Sequence, residues 1–226
     1  MMKITRFARP VTSAIYAVIT LYFRKKNAVT TVAGLRLRTM LDVQHPRFSP
    51  SNKVLVRYLE KLRLQNTHVL DVGTGSGIIG IVAAKKGAQV LAVDMNPLAV
   101  QLARENAGGH GLKDKMQSLE SDLFSKILPA QKFDYIIFNP LVYISRPKSF
   151  RKSALNAGNN GETTARFLEQ AKTFLTEKSK IILMLSSEMS LPRIDKKIRQ
   201  SGFIVASVTR SAHYFEYFYI LELQVA

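Results

Sequence analysis

The 226-residue chain has no cysteine, which excludes disulfides and thiolate metal centres. Histidine is scarce as well. His45, His68, His110 and His213 are scattered, with none of the H-x-x-H or H-E-x-x-H spacings that bring two rings to one metal. No metal is therefore expected. Long apolar runs are missing too. The stretch from Val11 to Phe23 is 13 residues, whereas a spanning helix needs about 20. Its basic flanks resemble those of a signal peptide, but Arg24-Lys25-Lys26 stands where a small-residue cleavage site belongs. A helix here puts Ile15, Ile19 and Tyr22 on one face, fit to pack on a domain. Contact with a membrane surface is the alternative, given basic residues at both ends. There is no internal repeat and no low-complexity segment.

Acidic residues are the remaining shortage: 16 Asp and Glu face 33 Lys and Arg, for a net charge of +17. The imbalance is concentrated early. Residues 1–66 hold 13 basic residues against only Asp42 and Glu60. Such an end suggests an anionic partner, whether nucleic acid, membrane surface or acidic protein, or else simply a solvated face. Apolar content of 46% is that of a globular protein, and the length suits one α/β domain plus an extension. The expected division is a basic extension over residues 1–50, a helix plus a short hairpin, with a cofactor-binding domain over 51–226.

The stretch Val69-Leu70-Asp71-Val72-Gly73-Thr74-Gly75-Ser76-Gly77-Ile78-Ile79-Gly80 organises the rest of the chain. It reads as a buried strand, a glycine-rich turn and a helix start, the nucleotide-binding corner of an open α/β sheet. Gly75 to Gly80 fits the G-x-G-x-x-G dinucleotide fingerprint, which alone is weak. Asp71 argues for a different ligand. A pyrophosphate prefers a helix N-terminus without a nearby carboxylate, whereas an acid at the strand end suits a cationic ligand. The arrangement Asp-x-Gly-x-Gly-x-Gly resembles the first motif of class I S-adenosylmethionine-dependent methyltransferases.

From Thr67 onward, strands near His68–Val72, Gln89–Val93, Met116–Leu119, Phe133–Phe138 and Lys180–Ser186 alternate with helices. The helices are near Ile78–Lys86, Pro97–Ala107, Thr163–Thr176 and Glu188–Ser201. Phe203–Arg210 and Tyr214–Gln224 read as an antiparallel pair at a sheet edge. Upstream, Val29 to Leu41 reads as a hairpin, and Ser51 as the cap of a helix reaching Leu64. Alternating units imply an α/β fold with a parallel sheet covered on both faces. The resemblance makes this a Rossmann-like, mostly parallel seven-stranded sheet with an antiparallel C-terminal strand.

Further positions fit that resemblance. Val90-Leu91-Ala92-Val93-Asp94 is a second strand ending in an acid able to accept ribose hydroxyls, with Met95 next and a helix opening at Pro97. In the family, an Asp after the third strand accepts from the adenine amino group. Asp122 matches it here, with Leu123 beside it. The implied cofactor set is Asp71, Gly73, Thr74, Gly75, Gly77, Asp94, Met95, Asp122, Leu123 and Asn139.

After the fourth strand, Asn139-Pro140-Leu141-Val142-Tyr143 resembles the Asn-Pro-Pro-Tyr motif of methyltransferases acting on planar nitrogens. A delocalised nitrogen is a poor nucleophile. An Asn side-chain oxygen and a proline carbonyl can accept its N–H bonds and hold it in line with the methyl group. Asn139 and Pro140 are therefore the implied catalytic pair. Leu141 replaces the second proline and Val142 the aromatic, with Tyr143 one place late, so the acceptor class stays open. The group resembled includes release-factor glutamine and ribosomal-RNA guanine N2-methyltransferases. His45 to Ser51 and Ala157 to Gly161 resemble loops of the same group.

The expectation is a cytoplasmic methyltransferase, with peripheral membrane association through the basic segment as an alternative. Its acceptor is macromolecular, an RNA base or a protein glutamine. A small-molecule or lipid-headgroup acceptor is the alternative, and a non-catalytic S-adenosylmethionine-binding subunit is the reading of another class. Arg146, Lys148, Arg151 and Lys152 directly follow the acceptor motif and could track phosphates. Oligomeric state is not legible.

Overall fold

The computed structural model describes residues 28–140, 161–187, 189–213 and 216–226. The expected helix near Val11 to Phe23 lies outside them, as do residues 141–160 and with them Leu141, Val142, Tyr143 and the basic residues after the acceptor motif.

A hairpin, β1 (Val29–Val32) and β2 (Leu35–Arg38), opens the described chain. A 3₁₀ turn at Pro46–Phe48 leads into α1 (Pro50–Leu59). The alternating part runs β3 (His68–Val72), α2 (Ile78–Lys85), β4 (Gln89–Asp94), α3 (Pro97–Gly109) and β5 (Met116–Glu120). It continues with β6 (Tyr135–Phe138), α4 (Glu162–Ala171), β7 (Lys180–Ser186) and α5 (Leu191–Gln200). β8 (Phe203–His213) and β9 (Glu216–Val225) close the chain.

The seven-stranded sheet has the order β5-β4-β3-β6-β7-β9-β8. β3 to β7 are mutually parallel, and β9 runs antiparallel between β7 and β8. The chain starts mid-sheet at β3, moves outward to β5, then returns to β6 on the other side. Such a reversal opens a crevice at the carboxyl ends of the strands. Val72 pairs with both Val93 and Phe138, so Gly73, Asp94 and Asn139 leave the sheet side by side.

Period-two alternation divides the strand residues between two layers. Val69, Ala92, Ile137 and Ile182 pack under the hairpin, α1, α2 and α3. Leu70, Val72, Ile136, Phe138 and Ile181 pack under α4 and α5. In the second layer Phe167 of α4 stacks on Phe138 with ring centres 4.4 Å apart and leans on Phe124 at 5.6 Å.

Polar ties fix the flanking pieces. Asn106 of α3 is buried, and its Oδ1 accepts from the Arg38 N–H at 2.7 Å. Its Nδ2 donates to the Arg38 carbonyl at 3.2 Å and the Ser76 carbonyl at 2.8 Å. One amide thus joins the hairpin, α3 and the glycine turn. Tyr58 of α1 donates to Glu222 of β9, which also accepts from Lys180 of β7 at 2.8 Å. Burial raises the Glu222 carboxyl, but these bonds outweigh it and hold the group below its usual range.

Several boundaries differ from the sequence expectation. α1 begins at Pro50, with Ser49 rather than Ser51 at the cap position and no side-chain cap bond. Proline lacks an N–H and has a preset φ, so it suits a first turn without one. The helix ends at Leu59, and Leu64 is buried from the turn beyond it. α4 stops at Ala171, continued by a 3₁₀ turn at Lys172–Phe174. α5 starts at Leu191, with Pro192 in its first turn.

Phe167→Ala would leave a cavity between Phe138 and Phe124. It should lower the unfolding free energy in urea by about 3–5 kcal/mol.

Candidate active site

The glycine turn between β3 and α2 uses its glycines in two ways. Gly73 (φ +70°) and Gly75 (φ +55°) adopt left-handed backbone and look into open space. A Cβ at Gly75 would meet nothing within 4 Å, and one at Gly73 only the Phe138 ring at 3.9 Å. Gly77 and Gly80 are packing glycines. A Cβ at Gly77 would lie 3.0 Å from the Ala103 backbone, and one at Gly80 2.9 Å from the Met116 methyl. The first pair leaves room for a ligand; the second seats α2 against α3 and β5.

Asp71 is 3% exposed. Its Oδ2 accepts from the Thr74 hydroxyl at 2.6 Å and the Gly80 N–H at 3.0 Å. Burial pushes its carboxyl up to about 6, against the lowering effect of those two bonds. The expected direct meeting of Asp71 with a cationic ligand does not fit this geometry. The carboxylate is sealed inside the turn and shapes it, because the chain folds over it between Thr74 and Gly80. Thr74, also buried, is its partner.

Asp94 ends β4 at the open side of the same turn. Its Oδ2 accepts from the Gly75 N–H at 3.0 Å and its Oδ1 from the Asn96 N–H at 2.9 Å. Burial raises this carboxyl, and the backbone donors Asn96, Gly75 and Met95 act against that. Asn96 caps α3 through the Leu98 N–H at 3.0 Å and donates to the Asp42 carbonyl at 2.9 Å, so the segment before α1 lies against this corner. Met95 is exposed beside it.

The Ser121 N–H donates to the Asp94 carbonyl at 2.9 Å, bringing the loop after β5 to the same edge. There Leu123 is buried with φ +52°, and Asp122 is half-exposed. Arg166 of α4 donates to Asp122 Oδ2 at 2.7 Å, a partner the sequence does not suggest.

Asn139 comes directly after β6, with Pro140 buried behind it. Its Nδ2 donates to Asn52 Oδ1 at 2.9 Å and to Ser51 Oγ at 3.2 Å, both in the first turn of α1. Ser51 Oγ also pairs with Ser49 Oγ at 3.0 Å. Asn52, Arg166 and Asn106 are polar groups that sequence reasoning misses. Their partners are 87, 44 and 68 residues away, and no local pattern marks them. Only the placement of Ser51 at the start of a helix, after a loop resembling a cofactor-lining one, hints at that contact.

Among the described residues, no group of three or more His, Asp or Glu side chains could hold a metal. None of their helices is long and apolar enough to cross a membrane.

An adenosyl group with an amino-acid tail fits this edge. Open glycine backbone lies beside a carboxylate at the end of β4, with a buried apolar residue and an exposed acid beyond β5. The sheet is that of class I S-adenosylmethionine-dependent methyltransferases. Residues 44–215 match the family described as methyltransferase small domain, and the chain belongs to it. It is 30% identical over 184 residues to a Methanocaldococcus jannaschii protein provisionally named a protein N5-glutamine methyltransferase, covering 78% of this chain and 89% of that one. It is 38% identical over 131 residues to the release factor glutamine methyltransferase of Rhodopirellula baltica, covering 52% of this chain and 44% of that protein. Over 129 residues it is 35% identical to the ribosomal protein uL3 glutamine methyltransferase of Francisella tularensis, covering 52% of this chain and 40% of the other. The chain thus spans most of the first relative and less than half of the other two. The fold is shared with the ribosomal protein L11 methylase of Lactobacillus delbrueckii, at TM-score 0.60 and 24% identity over 78% of this chain and 79% of that one. It is shared also with SMU.776 in complex with SAH, at TM-score 0.69 and 13% identity over 98% of this chain and 67% of the other.

A pKa of about 6 for Asp71, above the ordinary 3.8, means that the folded chain holds this proton more tightly than the unfolded one. The stabilisation is complete below about pH 4 and is lost as pH rises through 6. Asp71→Asn removes the titration. Unfolding in urea from pH 4 to 7 should show the wild type losing about 2 kcal/mol relative to Asp71→Asn. A pH-independent difference would rule the titration out.

Proposed function

We propose that the protein transfers the methyl group of S-adenosylmethionine to the side-chain amide nitrogen of a glutamine in a protein acceptor. The observation that carries this reading is the Asn139 amide. Its bonds to Ser51 and Asn52 of α1 both run from Nδ2, which leaves Oδ1 to accept. Oδ1 and the Pro140 carbonyl are then the acceptors for the two N–H bonds of a carboxamide. The names of the three relatives support glutamine as the residue carrying it.

In this reading Asp94 accepts from the ribose hydroxyls, and Gly73, Thr74, Gly75 and Gly77 form the turn against which the cofactor lies. Asp71 acts through the turn it holds. Met95 and Leu123 line the adenine, and Asp122 accepts from its amino group. When bound, S-adenosylmethionine supplies a methyl on a cationic sulfur. Asn139 and Pro140 hold the nitrogen in line with it, which contributes several kcal/mol by orientation alone. The N–C bond forms as the S–C bond breaks, and the nitrogen then releases one proton.

The basic surplus favours a second reading, the exocyclic amine of an RNA base, since Oδ1 of Asn139 would accept from it in the same way. The basic residues of 1–50 serve as contact to an anionic surface in either case, while the hairpin and the segment before α1 also pack on the methyltransferase domain of residues 51–226.

Calorimetric titration should show S-adenosylmethionine binding to the wild type. Asp94→Ala should weaken it roughly 10- to 100-fold, the loss of charge-assisted hydrogen bonds. No binding by the wild type would overturn the assignment. Asn139→Ala should cut methyl transfer by about 100-fold, well beyond any loss of cofactor affinity. With radiolabelled donor and a cell lysate, protease-sensitive label supports glutamine, and nuclease-sensitive label supports the RNA reading. Label resistant to both would overturn both.

A further inference from the structure

A carboxamide has one end that donates and one that accepts, with nearly the same shape. Strand geometry alone cannot choose which end of Asn139 faces the acceptor; its neighbours must. Two of them, Asn52 Oδ1 at 2.9 Å and Ser51 Oγ at 3.2 Å, take the Nδ2 end. Nδ2 carries two hydrogens, so these two bonds use its whole donating capacity. Ser51 is itself anchored by Ser49, which is buried, at 3.0 Å. Both partners sit in the first turn of α1, and Tyr58 further along the helix ties it to Glu222.

We infer that Asn52 is a positioning residue that turns the Asn139 amide so that its oxygen faces the acceptor, making the site selective for an acceptor that donates N–H bonds. The inference rests on the reading of Asn139 as the acceptor-holding side chain. With the amide reversed, Nδ2 would face the acceptor and favour a carboxylate. Asn52 therefore separates glutamine from glutamate without touching either. A hydroxyl alone does not make the choice, because Ser51 can donate as well as accept. Asn52 presents Oδ1 to Asn139 at 2.9 Å, and because its own amide also has two ends, the two side chains share one direction.

Asn52→Leu and Asn52→Asp test this in the full chain. Leucine keeps the branched four-atom side chain and removes the acceptor, whereas a carboxylate can only accept and so enforces the same orientation. Asn52→Leu should lower kcat for transfer into lysate protein by about 10- to 100-fold, the scale of a misoriented reacting group. Its calorimetric affinity for S-adenosylmethionine should stay within about two-fold, showing that the fold and cofactor site are intact. Asn52→Asp should retain wild-type kcat within a few-fold at neutral pH and lose it as the introduced carboxyl protonates in acid. An Asn52→Asp variant as inactive as Asn52→Leu would overturn the inference, as would loss of cofactor binding in step with activity.

A second readout needs no turnover. The Asn139 side-chain NH₂ signal in ¹⁵N NMR, assigned by its disappearance in Asn139→Ala, should shift in Asn52→Leu and hold in Asn52→Asp. An unchanged signal in Asn52→Leu would overturn the proposed orientation. A wild type that binds cofactor but methylates nothing in lysate would instead overturn the glutamine reading, and the amide signal would still decide the orientation.

Discussion

One carboxylate oxygen, Asp71 Oδ2, holds the turn on which the rest of the site depends. It is sealed from solvent and accepts from both sides of that turn, the Thr74 hydroxyl and the Gly80 N–H. The turn needs such an anchor because three of its residues lie in left-handed backbone, where local preferences do not define a single path. A buried carboxyl is a costly anchor, and its raised pKa is the sign of that cost. In exchange, Gly73 and Gly75 are held open at the sheet edge while Gly77 and Gly80 close tightly on the layer beneath.

From that turn, hydrogen bonds spread through neighbouring elements. Gly75 reaches Asp94, Asp94 reaches Asn96, and Asn96 reaches back to Asp42 in the segment before α1. Ser76 reaches Asn106, and through it the hairpin backbone at Arg38. The hairpin thus belongs to the same polar framework as the cofactor turn, and Leu37 belongs to the same apolar layer. Beside Asn139, α1 is pinned at both ends, by Asn139 at its start and by Glu222 near its end. Asp94 and Asn139 reach one sheet edge because β4 and β6 flank β3 in matched register.

Much of the fold is legible in the sequence. The residue pattern marks β3 and β7 at their observed limits and the other sheet strands within a few residues, because buried parallel strands are continuous apolar runs bounded by turn residues. Helix ends are less legible. Pro50 and Pro192 move two starts, since a proline in the first turn competes with the serine and acidic signals around it. Candidate site residues carried by a local motif, such as Gly73, Asp94 and Asn139, stand out from their neighbours. Those that work across the fold, Asn52, Arg166 and Asn106, have polar side chains common on any surface, and nothing adjacent marks them.

The sequence by itself determined the class of sheet, the glycine turn and the order of acids after successive strands. Each of these is a short-range pattern of burial and backbone preference, written in adjacent residues. Tertiary structure decided what the acids do. Asp71 stands two residues before Gly73 either way, but only the folding of Gly80 over it makes it an internal anchor rather than a ligand contact. Likewise, which end of the Asn139 amide is free depends on α1, a helix that begins 89 residues earlier in the chain. A hydrogen bond has a direction, and that direction is set only when the partner arrives.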